Sequence, residues 1–274
     1  MRVALCNEVL RELPFERQCA TAAALGYDGL EVAPFTLDAE APHLLPAARR
    51  AELRRAAAEA GVPITSLHWL LVAPPGLSIC TDDTALLART REVVRRLIGL
   101  AADLGASVLV HGSPAQRPVR GASDAARAEE TMRLAGDWAA AAGVAYCLDP
   151  LDAAQTSWAR TVEEAAGIVR RAAVPGLGTM LDVSAAGNGE SEDAPALLDR
   201  WLPTGLLRHI HLNDRNRRGP GQGGDRFGPI LAALRRNGYG GWCAVEPFDY
   251  VPDGLGAAAR AIGYLRGLEE EAAG

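Results

Sequence analysis

The chain of 274 residues is 49% hydrophobic and 23% charged, with a formal net charge of -6. That content supports a sizeable core, while no apolar run approaches the roughly 20 residues of a bilayer span and the acidic balance opposes a partner made of phosphodiesters. All 28 basic residues are arginine, which excludes a lysine Schiff base, a pyridoxal-phosphate anchor and a P-loop lysine.

In chain order, short aliphatic runs alternate with longer stretches whose apolar residues recur at i, i+3 and i+4. Strands are predicted over 3–7, 28–32, 63–68, 107–112, 144–149, 177–182, 206–212 and 242–247. Helices are predicted over 14–25, 46–60, 83–104, 124–142, 161–173, 193–201, 226–237 and 255–270. Glycines near the helix ends suit left-handed caps. Ser123 or Asp124 marks one helix start, and Thr161 with Glu164 forms a capping box at another. Eight strand–helix units without a composition break predict an α/β fold, a single (β/α)8 TIM barrel with parallel strands over residues 1–274. An open dinucleotide-binding sheet would carry a glycine-rich turn after its first strand, where this chain has Cys6-Asn7-Glu8.

The five cysteines (Cys6, Cys19, Cys80, Cys147 and Cys243) are scattered, with no C-x-x-C pair. This argues against a zinc knuckle or disulfide framework and for a reducing, cytoplasmic setting. The first residues lack the apolar stretch and cleavage site of a signal peptide.

Barrel chemistry sits at the C-terminal ends of the strands, and every predicted strand ends in a polar residue: Asn7, Glu31, His68, His111, Asp149, Asp182, His211 and Glu246. So many ionisable groups on one rim cost desolvation and repulsion unless a cation or polar ligand compensates. Asp149, Asp182, His211 and Glu246 come from neighbouring strands five to eight and form a metal-site pattern. Three carboxylates and an imidazole suit Mn2+, Co2+ or Zn2+, with Mg2+ less favoured. His209 shares a face with His211 and is expected lower in the barrel as a packed residue. Trp69, next to His68, is placed near the pocket. Arg117, in the loop after strand four, is read as a surface residue, with contact to a phosphate or carboxylate as the alternative.

Leu148-Asp149-Pro150-Leu151, Leu181-Asp182, His209-Ile210-His211-Leu212-Asn213-Asp214, Pro220-Gly221-Gln222-Gly223 and Val245-Glu246-Pro247 occur in this order, with Gly29-Leu30-Glu31 and His111-Gly112-Ser113-Pro114 before them. Together they resemble the sugar phosphate isomerase/epimerase family of xylose isomerase-like TIM barrels, which shares its fold with AP endonuclease family 2. The resemblance covers nearly the whole chain. It implies a divalent ion held by Asp149, Asp182, His211 and Glu246, with Glu246 and Asp149 doubling as acid/base groups on opposite faces of a sugar carbon. The implied activity is metal-dependent isomerisation or epimerisation of a sugar, ketose, cyclitol or related polyhydroxylated small molecule, through α-proton abstraction and a cis-enediolate. Substrate contacts are expected from His68, His111, Arg217, Glu31, Trp69 and Gln155.

Three departures stand out: Asp149 where the family has Glu, Ala185 where many epimerases have a substrate-binding His, and Gln155 where ketose 3-epimerases have Glu. Asp149 reaches about 1.5 Å less far than Glu, which shifts the base role toward Glu246, or to His68 or His111. Loss of a β-hydroxyl after the same proton abstraction, as in an inosose-type dehydratase, is the alternative outcome. A DNA repair enzyme and a non-catalytic binding barrel are the further alternatives; absent histidines near Ala185 and Phe227 argue against the first and four metal-competent side chains against the second. The resemblance implies a homodimer or homotetramer, with no membrane or nucleic-acid partner.

Overall fold

The computed structural model describes residues 1–272. Eight parallel strands, β1 (Arg2–Cys6), β2 (Gly29–Val32), β3 (Ile64–Leu67), β4 (Val108–His111), β5 (Ala145–Leu148), β6 (Leu177–Asp182), β7 (Leu207–Leu212) and β8 (Trp242–Val245), close into a barrel in sequential order. The helices are α1 (Phe15–Leu25), α2 (Ala47–Glu59), α3 (Thr84–Leu104), α4 (Ala122–Ala142), α5 (Val162–Ala172), α6 (Val183–Gly189), α7 (Ala194–Trp201), α8 (Phe227–Arg236) and α9 (Gly254–Glu271). Each predicted element is present, with ends displaced by one or two residues. The short α6 was not predicted. Its turn is set by Asp182, whose Oδ1 accepts from Ala185 N at 2.7 Å.

Alternation along the strands separates two environments. Residues such as Leu109, Tyr146, Leu148 and Leu181 face the helices and join the main core. Val108, Val110, Cys147 and Met180 form a separate apolar cluster, filling the lumen beneath the polar rim. Gly26, Gly105 and Gly143 end α1, α3 and α4 at φ of 93°, 83° and 71°, where a side chain would strain the left-handed cap. Gly176 lets α4 approach β6: a Cβ there would stand 2.1 Å from Gly136 O.

Two start signals are realised differently. Helix α4 begins at Ala122 with no side-chain cap, because Asp124 accepts instead from Arg120 N at 3.0 Å. Thr161 Oγ1 does accept from Glu164 N at 3.1 Å, but Glu164 Oε2 accepts from Arg160 N rather than completing the box.

Register determines which residues meet at the rim. Asp182 pairs with His211, and Cys6 with Glu31. The β2–β3 register shifts between Leu30 and Glu31, so Glu31 stands opposite Ser66; the β6–β7 register shifts between Thr179 and Met180, bringing Met180 opposite His209. Such bulges re-aim side chains near active sites.

Candidate metal centre and its cavity

Asp182, His211 and Glu246 end β6, β7 and β8 and converge. One donor atom from each lies within 4.8 Å of the others, and all three residues are buried. His211 Nε2 faces Glu31 Oε1 at 2.7 Å. His211 Nδ1 faces Glu246 Oε2 at 2.7 Å and Asp182 Oδ2 at 3.9 Å, without a hydrogen bond among the described residues. Two carboxylate oxygens turned toward one unpartnered imidazole nitrogen are a donor set that fits a divalent cation of intermediate hardness. Glu31 supplies the outer carboxylate that orients such a histidine.

Asp149 stands apart from this group. Its carboxylate lies outside the 4.8 Å set formed by the other three, as its missing methylene leads one to expect. It lines the cavity beside Asp182 and Glu246, and its buried Oδ1 has no partner among the described residues. Gly112 makes room for it: a Cβ there would stand 2.6 Å from Asp149 Oδ2. Burial, reinforced by Asp182, raises the Asp149 pKa well above the carboxylate range. Burial and Glu246 bring Asp182 to about 6. Burial also works against ionised Glu246, but His211 and His68 outweigh it and hold Glu246 at about 2.

His68 lines the cavity with both ring nitrogens engaged, Nδ1 with Glu246 Oε1 and Nε2 with Glu8 Oε2, each at 2.9 Å. Trp69 also lines it and donates from Nε1 to Glu246 Oε1 at 3.1 Å. Glu246 thus has one oxygen in the ligand group and the other held by two neighbours. Arg217 and Gln155 line the cavity too, and Arg217 Nη2 donates to Gln155 Oε1 at 3.1 Å. Arg217 adopts φ of 68°, rare for a side chain of this size. Its carbonyl accepts from Phe248 N and Asp249 N at 2.8 and 3.0 Å, and its guanidinium lies 5.3 Å over the Phe248 ring.

Several expectations need correction. Glu31 is wholly buried and absent from the cavity wall; it accepts from Ser66 Oγ and faces His209 Nε2 at 2.6 Å as well as His211, so it braces His211 from outside the cavity. His111 is likewise off the cavity wall; its Nδ1 meets Tyr146 Oη at 2.8 Å. Burial, together with Arg117, lowers the His111 pKa to about 3 and leaves it neutral. Arg117 is no surface residue but wholly buried. Asn7 ties loops together, donating to Gln18 and Thr36 and accepting from Ala33 N at 2.8 Å.

Two contributors escaped sequence reasoning. Glu8 belongs to a 3-10 turn that begins at Asn7, the predicted strand end, because β1 stops at Cys6. Asn213 donates to Asp182 Oδ2 at 3.0 Å and to the Glu246 carbonyl at 3.2 Å. Its place two residues beyond His211, on the same face, was the available signal.

Eight parallel strands closed in sequential order, with a carboxylate–imidazole group at the C-terminal mouth, place the chain among the TIM barrels. Residues 19–268 match the family described as xylose isomerase-like TIM barrel. The chain belongs to that family. It is 26% identical over 233 residues to a protein named D-psicose 3-epimerase from Agrobacterium fabrum, covering 82% of this chain and 76% of the relative. It is 24% identical over 242 residues to one named "Probable ketose 3-epimerase" from Synechocystis sp., covering 86% and 79%. A crystal structure of D-psicose 3-epimerase in the presence of D-fructose superposes with a TM-score of 0.81 at 22% identity, covering 98% of this chain and 99% of that one. Among the described residues no helix is long and apolar enough to cross a membrane.

Proposed function

We propose that this protein is a metal-dependent sugar epimerase or isomerase that moves a proton at the carbon next to a carbonyl of a polyhydroxylated substrate. One observation carries the reading: Asp182, His211 and Glu246 converge within 4.8 Å while Asp149 lines the same cavity. The names of its relatives support the class. Asp182, His211 and Glu246 would hold a divalent ion there, which would supply Lewis-acid polarisation of a carbonyl and so acidify the C–H of the neighbouring hydroxyl-bearing carbon.

The chain's own groups do the rest. Asp149 and Glu246 rise from β5 and β8, three places apart around the ring, and so approach the substrate from different sides. Their pKa values are pushed apart, Asp149 upward and Glu246 down to about 2, the environment that separates an acid from a base. Glu246 removes the proton with Oε1, the oxygen that His68 and Trp69 aim. Asp149 returns one from Oδ1 to the opposite face, and the reverse reaction exchanges the roles. Arg217 and Gln155 bound the far wall and orient hydroxyls through their free donors and acceptors.

The test is solvent deuterium incorporation at the α-carbon of ketoses, followed by NMR on the metal-loaded enzyme. Glu246→Gln is expected to lower exchange by about 10²–10⁴-fold, the usual contribution of a positioned base. Exchange at the parent rate in that variant would overturn the assignment. Loss of a β-hydroxyl in the product would instead identify the dehydratase outcome.

A further inference from the structure

The catalytic cavity is small, about 210 Å3, below the ~300–1,000 Å3 common for small-molecule sites. It shares Pro114 and Gln155 with a second cavity of about 470 Å3 between the loops that follow β4 and β5. Arg117, Arg160, Thr156 and Ser157 also line this outer cavity, and no acidic side chain does.

Arg117 is the unusual member. It is wholly buried, and Nε, Nη1 and Nη2 have no hydrogen-bond partner among the described residues. Its backbone is fixed: Arg117 N donates to Pro114 O at 3.1 Å and its carbonyl accepts from Val119 N at 2.9 Å. Ser157 Oγ donates to Val119 O at 2.6 Å, joining the two loops. Burial lowers its pKa to about 10, with Asp149 opposing, so the group stays charged at neutral pH. A buried guanidinium with no acceptor is costly, and its planar fork matches the paired oxygens of a carboxylate or phosphate.

We propose that the substrate carries an anionic group, a phosphate or a carboxylate, which extends past Gln155 into the outer cavity and is held by Arg117. This rests on the epimerase reading of the inner cavity and adds the substrate class. Arg160 also lines the outer cavity, its Nη2 shared with Glu164 Oε1 at 3.1 Å, while the carbon skeleton keeps its carbonyl at the carboxylate–imidazole group.

The test compares kcat/KM on the metal-loaded enzyme for a neutral ketose, its terminal phosphate monoester and the corresponding keto acid. At least one anionic substrate is expected to exceed the neutral one by about 100-fold, and the better of the two identifies the group. Arg117→Gln is expected to lose at least tenfold more activity on that anion than on the neutral ketose, and Arg117→Lys to recover part of the difference. Preference for the neutral ketose, or equal losses in Arg117→Gln, overturns the subsite. Should no ketose exchange at all, the epimerase reading fails, and calorimetry with inorganic phosphate decides the subsite separately. Binding weakened at least tenfold by Arg117→Gln supports it; no binding to the parent protein at millimolar phosphate refutes it. If Arg117→Gln does not fold, the Arg117→Lys titration and the wild-type substrate comparison decide.

Discussion

Replacing Glu31 with Gln isolates the brace behind the metal group. The side chain is wholly buried on β2, with Oε1 at 2.7 Å from His211 Nε2 and Oε2 shared by Ser66 and His209. Glutamine keeps the shape and one acceptor. Its amide can donate to Ser66 Oγ, so the fold has no reason to fail. What disappears is the negative charge that fixes the His211 tautomer and makes Nδ1 a better donor. Loss of such an outer carboxylate costs 10- to 100-fold in metal affinity, about 1.4–2.8 kcal/mol at 1.4 kcal/mol per decade. The measurement is a chelator competition with Mn2+, Co2+ and Zn2+, with thermal unfolding of both metal-free proteins as a control. A dissociation constant within twofold of the parent, with melting unchanged, would refute the bracing role.

Gly112→Ala brings a methyl to 2.6 Å from Asp149 Oδ2; about 1–3 kcal/mol of stability should be lost to overpacking, and steady-state kinetics should show kcat reduced at least tenfold with metal content retained. Gly176→Ala makes a contrasting clash with the α4 backbone, 2.1 Å from Gly136 O and 2.5 Å from Ala140 N. Urea unfolding should show a loss of about 3 kcal/mol or more, while kcat per folded molecule is unchanged. Metal affinity should fall as pH drops through about 6, where Asp182 takes up a proton in the metal-free protein. The sign follows because only the carboxylate coordinates, and isothermal titration at pH 5 and 7.5 checks it. For the metal-free protein itself the same raised pKa favours folding below about 4 and loses that contribution as pH rises through 6.

The barrel was legible because its buried strands are short and aliphatic and its helices end in glycines. Strand ends also pointed to the right rim, since period-two alternation tells which face a residue occupies. What alternation does not give is height. Glu31 shares the inward face with Asp149 and Glu246, yet it sits below the cavity because β2 is shifted against β3, whereas His111 alternates with the lumen residues Val108 and Val110 and pairs with Leu148, so it faces the helices. Glu8 was missed because the chain turns into a 3-10 helix directly after Cys6. The burial of Arg117 is set by tertiary packing that nothing local in Pro114-Ala115-Gln116-Arg117 announces.

The register shift between β6 and β7 ties the reaction centre to an arithmetic of chain length. Arg208 is the residue the shift absorbs, so its excision would leave His209 opposite Met180, but excising Ile210 would set His211 opposite Leu181 and Leu212 opposite Asp182, turning the imidazole toward the helices. Point substitutions degrade such a centre by degrees, whereas one deleted codon abolishes it while leaving every ligand in the gene.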